Sequence, residues 1–324
     1  MSRIGTSSVV FVTLSGLFWG GWAVGSQTPQ GQEALANAYE AYASQQSQAN
    51  QDLFAPNALR ALVCGTGASI VSPREQRPCL AVAAAGRLFI VDAGAGAAEA
   101  LTRRNVPLGR LEAVLLTGAD LTRSVSLDEL YAASDGRRAN HLLPVYGPAD
   151  AQRLVEGLNV AAGLDGATHG LQAWGPAPEP GRSVIVFEGD GLIVSAFTTR
   201  EDAFNGRVGY RFDYGGRSLV VGGDGRAEWA SAAKDADVVL HGAQTEAFAQ
   251  LHQGGHGATV AQVAQEARAA NAGMVVLSSA EDSLAASMQL NEAHAAGLDS
   301  VVAGREGMLL ELPFGDKDVN VRPL

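Results

Sequence analysis

The sequence predicts an α/β protein in which two sheets pack face to face with helices outside. Two observations carry that expectation. From Leu59 onward, short β-rich runs alternate with Ala-rich helical stretches. This pattern is then set down twice, in series of similar length. The first series is "LRALVC", "CLAVAA", "RLFIVDAG", "AVLLTG" and "LLPVYGP", reaching to Leu164. The second is "SVIVFEG", "GLIVSAF", "VGYRFDY", "RSLVVGGD", "ADVVLHGA", "GMVVLSSA" and "SVVAGREGMLLELP". Helices are expected around 227–234, 243–252, 258–270 and 284–296. No short-period repeat and no long Pro/Gly-rich linker interrupts residues 59–324, so both series read as one integrated domain.

The 324 residues suffice for one large domain or two small ones. At 47% apolar and 18% charged, the composition is that of a compact protein. The formal charge of −11 argues against nucleic acid as the main partner, because gripping phosphates requires a basic surface. Lysine occurs only at Lys234 and Lys317, so the positive charge is nearly all arginine, which we read as genome composition.

The first 25 residues stand apart. Arg3 precedes "VVFVTLSGLFWGGWAV", and no further charge occurs before Glu33. A lone positive charge ahead of an apolar core is the pattern of an export signal, and Ala23-Val24-Gly25 offers the small residues a signal peptidase reads. The uncharged stretch is equally long enough to span a bilayer, with Trp19 and Trp22 placed for its interface. Cleaved signal (1–25) and retained anchor (residues 4–24) both remain open. Either puts the body outside the cytoplasm, in the periplasm or tethered to the inner membrane. Residues 26–57 form a polar linker in which Leu35, Tyr39 and Tyr42 share one helical face, and the folded domain occupies 58–324. Cys64 and Cys79 border neighbouring predicted strands. A disulfide and two small buried residues are both open, since spacing alone does not establish a bridge.

Landmarks fall in a fixed order: "VCGTGAS" (63–69), "PREQRPCLAV" (73–82), "LFIVDAGAG" (88–96), "LPVYGP" (143–148), "VGYRFDYGGRSLVVGGDGR" (208–226), "ADVVLH" (236–241) and "HGATVAQVAQEAR" (256–268). Over residues 59–312 this resembles the metallo-β-lactamase superfamily, in its ribonuclease Z and arylsulfatase-like branch. The resemblance implies an αββα sandwich with the active site at one edge, where the loops after the strands converge. It also implies a T-H-x-H-x-D-H motif whose imidazoles and carboxylate hold two zinc ions and activate water.

This chain departs from that motif. Thr117 is kept, but Gly118, Asp120, Thr122 and Arg123 stand at the four ligand positions. The histidine expected before "GYR" falls at Glu201, and the one after the penultimate strand at Ser279. Only the bridging aspartate survives, as Asp224, with His256 matching the histidine that assists catalysis. Zinc is therefore expected to be absent, with no cofactor in its place. Arg123 is expected to supply the lost positive charge, pairing with Asp224 and with Glu201 or Asp120, because an unpaired buried carboxylate cluster is costly.

His141, His169, His252 and His294 show no ligand spacing and His241 lies at a strand end, so a structural role is expected for all five. Ser278 and Ser279 lack the nucleophile elbow of a serine hydrolase. "GTGAS" and "DAGAGA" match no phosphate loop and read as tight turns. Only the "DYGGRS" turn joins the "GYR" and "GD" strands, where ribonuclease Z commonly inserts its substrate-gripping arm. The expectation is an exported protein without hydrolytic chemistry that acts as a scaffold, complex subunit or small-ligand receptor, with a homodimer suggested by analogy to the family. The alternative is a divergent hydrolase working around Asp120, Glu201, Asp224 and His256.

Overall fold

The computed structural model describes residues 52–66, 78–134, 141–175, 178–179, 181–200, 206–225, 229–251, 257–278 and 283–324, with Pro29, Gln32, Glu33, Ala36 and Asn37 ahead of them. Two units result, Met1–Asp52 and Leu53–Leu324. In the first, the five residues just named are helical and exposed. The export or anchor segment, and the face of Leu35, Tyr39 and Tyr42, lie outside the described residues. Among the described residues no helix is long and apolar enough to cross a membrane.

The second unit holds two sheets. Among the described residues one runs β15-β14-β1-β2-β3-β4-β5-β6 and the other β13-β12-β11-β10-β9-β8-β7. In the first sheet the strands are β1 (Ala58–Gly65), β2 (Cys79–Ala84), β3 (Arg87–Val91), β4 (Leu111–Leu115), β5 (Leu142–Tyr146), β6 (Gly170–Trp174), β14 (Met308–Pro313) and β15 (Asn320–Pro323). The second contains β7 (Ser183–Gly189), β8 (Leu192–Arg200), β9 (Arg207–Tyr214), β10 (Arg217–Val221), β11 (Val238–His241), β12 (Met274–Leu277) and β13 (Val301–Ala303). The sequence series omitted β6 and β15, which are both outermost strands.

Strand β1 shows why its sequence is apolar almost throughout. Leu59, Ala61 and Val63 join the core between the sheets, with Phe89, Tyr210, Phe212 and Leu219. Leu62 and Cys64 point the other way, into a second core beneath the helices. A strand covered on both faces loses the polar alternation of a half-exposed one. Helices α1 (Ala97–Arg103), α2 (Leu121–Ser124), α3 (Leu127–Ala133) and α4 (Ala151–Ala162) connect the strands of the first sheet. Helices α5 (Glu246–Leu251), α6 (Val260–Ala269) and α7 (Ser283–Ala295) do so for the second. Val220, Val239 and Val275 pack outward onto Val263, Ala264 and Ala267 of α6. The result is an αββα sandwich.

The helix expected at 227–234 is absent from its described part, where Ala230–Asp235 are turns. Trp229 is sunk in the core, and Asp235 takes a φ of 53°. Trp229 is held in the core at one end, and at the other the Asp235 amide donates to the Ala270 carbonyl at 2.7 Å and not to a carbonyl within the segment. The "DYGGRS" turn is a two-residue connection whose Gly215 and Gly216 both have positive φ, the conformation that a tight hairpin between twisted strands demands. Cys64 and Cys79 are joined by a disulfide between β1 and β2, with Cα atoms 5.0 Å apart.

Parallel pairing sets the site. Strands β3, β4 and β5 run parallel, as do β10, β11 and β12. Their carboxyl ends deliver Asp92, Thr117, Asp224, His241 and Ser278, and such ends are where α/β folds place ligand crevices.

Candidate functional site

The site is an ion cluster in which Arg123 and Asp92 are buried and Asp120 and Asp224 reach the surface. Asp92 follows β3 in a left-handed conformation (φ 60°) and is 4% exposed. Its carboxylate accepts from the Thr117 amide at 2.8 Å and from the Thr117 hydroxyl at 2.7 Å. Asp120 caps α2 by accepting from the Thr122 amide at 3.1 Å, the ordinary work of an N-cap carboxylate, and also accepts from the Thr122 hydroxyl. One helical turn later, Arg123 lies over the same carboxylate. The turn is anchored to β3, with the Ala93 amide donating to the Arg123 carbonyl at 2.6 Å and the Ser126 amide to the Ala93 carbonyl at 3.0 Å.

The guanidinium of Arg123 is the hub. Its Nε donates to Thr117 Oγ1 at 3.0 Å and stands 3.6 Å from Asp92 Oδ2. Nη1 donates to Asp120 Oδ2 at 2.8 Å, and Nη2 lies 2.6 Å from Asp224 Oδ2. A second cation enters from β9. Arg207 Nη1 donates to Asp120 Oδ2 at 2.8 Å and lies 3.9 Å from Asp224 Oδ1. The strand carrying it is tied to the same turn, since the Val208 amide donates to the Thr117 carbonyl at 3.0 Å.

Two arginines thus face three aspartates. Burial pushes the Asp92 carboxyl up to about 6, against the pull of Arg123 and the Thr117 donors. At Asp120 burial also pushes upward, but Arg123, the Thr122 hydroxyl and Arg207 together outweigh it and hold the carboxyl below its ordinary value. Asp224 behaves likewise, with Arg123 and Arg207 overcoming burial. Arg123 is raised despite burial, by Asp224, Asp92 and Asp120. One proton on Asp92 would bring the cluster to neutrality, and the most enclosed acid is the one whose carboxyl is raised, so it is the first of the three to take up a proton as pH falls.

Beneath the guanidinium lies an enclosed space of about 50 Å³ whose walls include Thr66, Asp92, Asp224 and Ser278. On its outer side Gly118, Asp120, Pro148, Arg153 and Arg207 border a cleft of about 410 Å³. These residues do not fit a zinc ion. Position 118 offers no side chain, Arg123 contributes no lone pair, and its charge already sits within 2.6–3.6 Å of the three carboxylates.

Two sets of known proteins share features with this chain. It is 30% identical over 134 residues to ribonuclease Z of Bradyrhizobium diazoefficiens, a match covering 41% of this chain and 42% of that protein. It is 27% identical over 169 residues to ribonuclease Z of Mycobacterium marinum, covering 49% and 61%. The chain therefore spans about half the length of the curated relatives it matches. Among solved structures, a metallo-β-lactamase-fold protein of Bacillus subtilis superposes with a TM-score of 0.62 at 17% identity, covering 79% of this chain and 99% of that one. The short form of human tRNase Z gives 0.63 at 17% identity, covering 78% and 99%. The chain has the metallo-β-lactamase fold of these structures and is similar in sequence to ribonucleases Z over about half their length. No family model matches it.

Within this superfamily fold, five of the residues singled out from the sequence converge: Gly118, Asp120, Thr122, Arg123 and Asp224. Glu201, His256 and Ser279 lie outside the described residues. The loop after His256 reaches the cluster, since the Ala258 amide donates to the Asp224 carbonyl at 3.1 Å. His241 is fully buried, stacks on Trp229 and pairs through Nδ1 with the Gly242 carbonyl at 2.6 Å. Burial lowers its pKa, so it is a neutral core side chain. His141 stacks on Tyr131, and His169 lies against Asp165. The sequence reading missed Asp92 and Arg207. Asp92 sits inside the quoted "IVDAG", where an acidic residue ending an apolar strand was a usable signal. Arg207 precedes "GYR" and carried none, because its role depends on what is missing at Gly118.

Proposed function

We propose that this chain is a metallo-β-lactamase-fold protein whose cleft no longer activates water, and that it acts by binding, as a scaffold, complex subunit or receptor outside the cytoplasm. One observation carries this reading: the buried guanidinium of Arg123 bridging Asp120 and Asp224. A guanidinium keeps its proton at every pH at which proteins fold and cannot lower the pKa of a bound water as zinc does. The cleft then keeps its shape and loses its nucleophile. Its relatives are ribonucleases Z, but the acidic balance of this chain disfavours RNA as the ligand. Location outside the cytoplasm rests on the charge and hydropathy pattern of residues 1–25.

The competing reading is a divergent hydrolase. It is favoured by the convergence of Asp92, Asp120 and Asp224 on one cleft edge, a set of oxygens suited to a hard ion if Arg123 were displaced. The two are separated by elemental analysis of the full-length protein together with turnover of phosphodiester, phosphate-ester and sulfate-ester substrates. The binding reading expects substoichiometric metal and no turnover above solvent. Stoichiometric tightly held metal with turnover overturns it.

A further inference from the structure

Gly118 has a positive requirement that reaches beyond the loss of a ligand. A Cβ built on it would lie 3.0 Å from Asp120 Oδ2, 3.1 Å from Arg207 Cζ and nearer still to Arg207 Nη1. A side chain at 118 would have to push the end of Arg207 aside, and with it the contact to Asp120. The glycine is not in a left-handed conformation, so backbone freedom does not explain it. Its emptiness is filled volume. The guanidinium of Arg207, whose side chain is only 19% exposed, occupies the place where a side chain from position 118 would project.

From this we propose that the cleft is closed to divalent cations by two arginines acting together, Arg123 from below and Arg207 from the side, with Gly118 as the steric condition for the second. The inference rests on the binding reading above and deepens it. Each guanidinium takes one face of Asp120 Oδ2, at 2.8 Å from Arg123 Nη1 and 2.8 Å from Arg207 Nη1. Both also approach Asp224, one at each carboxylate oxygen. The two carboxylates able to bridge ions are thereby saturated by fixed charge from two directions. Removing Arg123 alone would leave Arg207 in contact with both. Positions 118, 123 and 207 therefore form one coupled unit, although 207 is distant in sequence and lies outside every motif the chain presents.

Two experiments on the full-length protein test this. The first is a double-mutant cycle of Gly118→Ala and Arg207→Ala, read by chemical denaturation. Gly118→Ala should raise the unfolding constant at least fivefold in the native background, and less than twofold once Arg207 is alanine. Equal effects in both backgrounds overturn the steric coupling. The second measures Zn²⁺ binding calorimetrically. Gly118→His with Arg123→His places two imidazoles beside Asp120 and Asp224, a donor set that zinc accepts. With Arg207 retained, the ion should bind at least 100-fold more weakly than when Arg207→Ala is added. Equal affinity in the two backgrounds, or no binding in either, overturns the role of Arg207. A native protein that already carries metal and turns over ester would instead sink the reading on which the inference stands, so the two failures are distinguishable.

Discussion

The two ends of β10 hold buried arginines in different company. At its start, Arg217 donates to the backbone carbonyls of Pro313, Asp316 and Lys317 at 2.8, 2.5 and 3.2 Å, and its Nε lies 3.2 Å from Asp237. Asp237 in turn accepts from the Ser218 amide at 2.7 Å. This arginine clamps the segment leading from β14 to β15 against the sheet, and one carboxylate balances its charge. Just past the other end of the strand, Asp224 belongs to a cluster in which three carboxylates compete for two guanidinium groups. Carbonyl oxygens take no proton, whereas carboxylates do. The first arginine is held by acceptors that suit it alone. The second is held by acids that suit a cation of higher charge. That difference can be probed by removing each arginine in turn.

The largest expected effect is at Arg123. Arg123→Met strands buried carboxylates and should cost about 3–5 kcal/mol at pH 7, the usual penalty for halving a buried ion pair. Lowering the pH toward 5 should return much of that loss as the abandoned acids take up protons. Arg217→Met should also destabilise, but with less relief, because most of its acceptors do not titrate. Denaturant titrations at pH 7 and pH 5 measure both, and equal relief would erase the distinction between the two ends.

Next in size is the pH dependence of the native protein. The Asp92 carboxyl is raised to about 6 in the fold. A raised acid binds its proton more tightly folded than unfolded. Its stabilising contribution is therefore complete below the unfolded value of about 3.9 and is lost as pH climbs through 6, a change of roughly 3 kcal/mol. Asp120 and Asp224 are lowered and act with the opposite sign, their contribution being present above the unfolded value and lost as pH falls below it. The two windows do not coincide. Asp92→Asn should therefore flatten the stability profile between about pH 4 and 6 while leaving the acid limb below pH 4 in place. An unchanged slope would mean that Asp92 carries no proton in the folded state.

What the sequence disclosed follows from how local each signal is. The inner strands of both sheets announce themselves because burial on two faces writes apolar runs such as "LFIV" and "SLVV", whereas the outermost β6 and β15 escaped notice. The site edge was found because Thr117, Asp120, Arg123 and Asp224 sit in short motifs with fixed spacing. Hidden from sequence were the features made by distant pairs. Arg207 meets Asp120 across 87 residues, and its significance depends on a glycine whose missing side chain is an absence in the text. Asp92 was read as part of a tight turn although an acidic residue closing an apolar strand was in view; what the text does not disclose is that burial raises its carboxyl. The 227–234 segment misled for the reverse reason. Its alanines are favourable for a helix, but the burial of Trp229 and the reversal at Asp235 decide otherwise.

The smallest expected effects sharpen the comparison from the periphery. Each cluster has an outlying cation: Arg207 at 2.8 Å from Asp120, and Lys317 at 3.7 Å from Asp237. The side chain of Lys317 is 84% exposed, so water screens the pair and the flexible chain loses entropy in holding it. Lys317→Ala should shift stability by less than about 0.5 kcal/mol. Arg207 is mostly enclosed and shares its carboxylate with Arg123, so Arg207→Ala should cost about 1–2 kcal/mol, in the range of a charge-assisted hydrogen bond. Added salt should diminish the Lys317 effect and leave most of the Arg207 effect, since ions in solution screen exposed pairs far more than buried ones. If the two substitutions proved equal and equally sensitive to salt, Arg207 would be a surface partner and the cluster would hold one resident cation, not two.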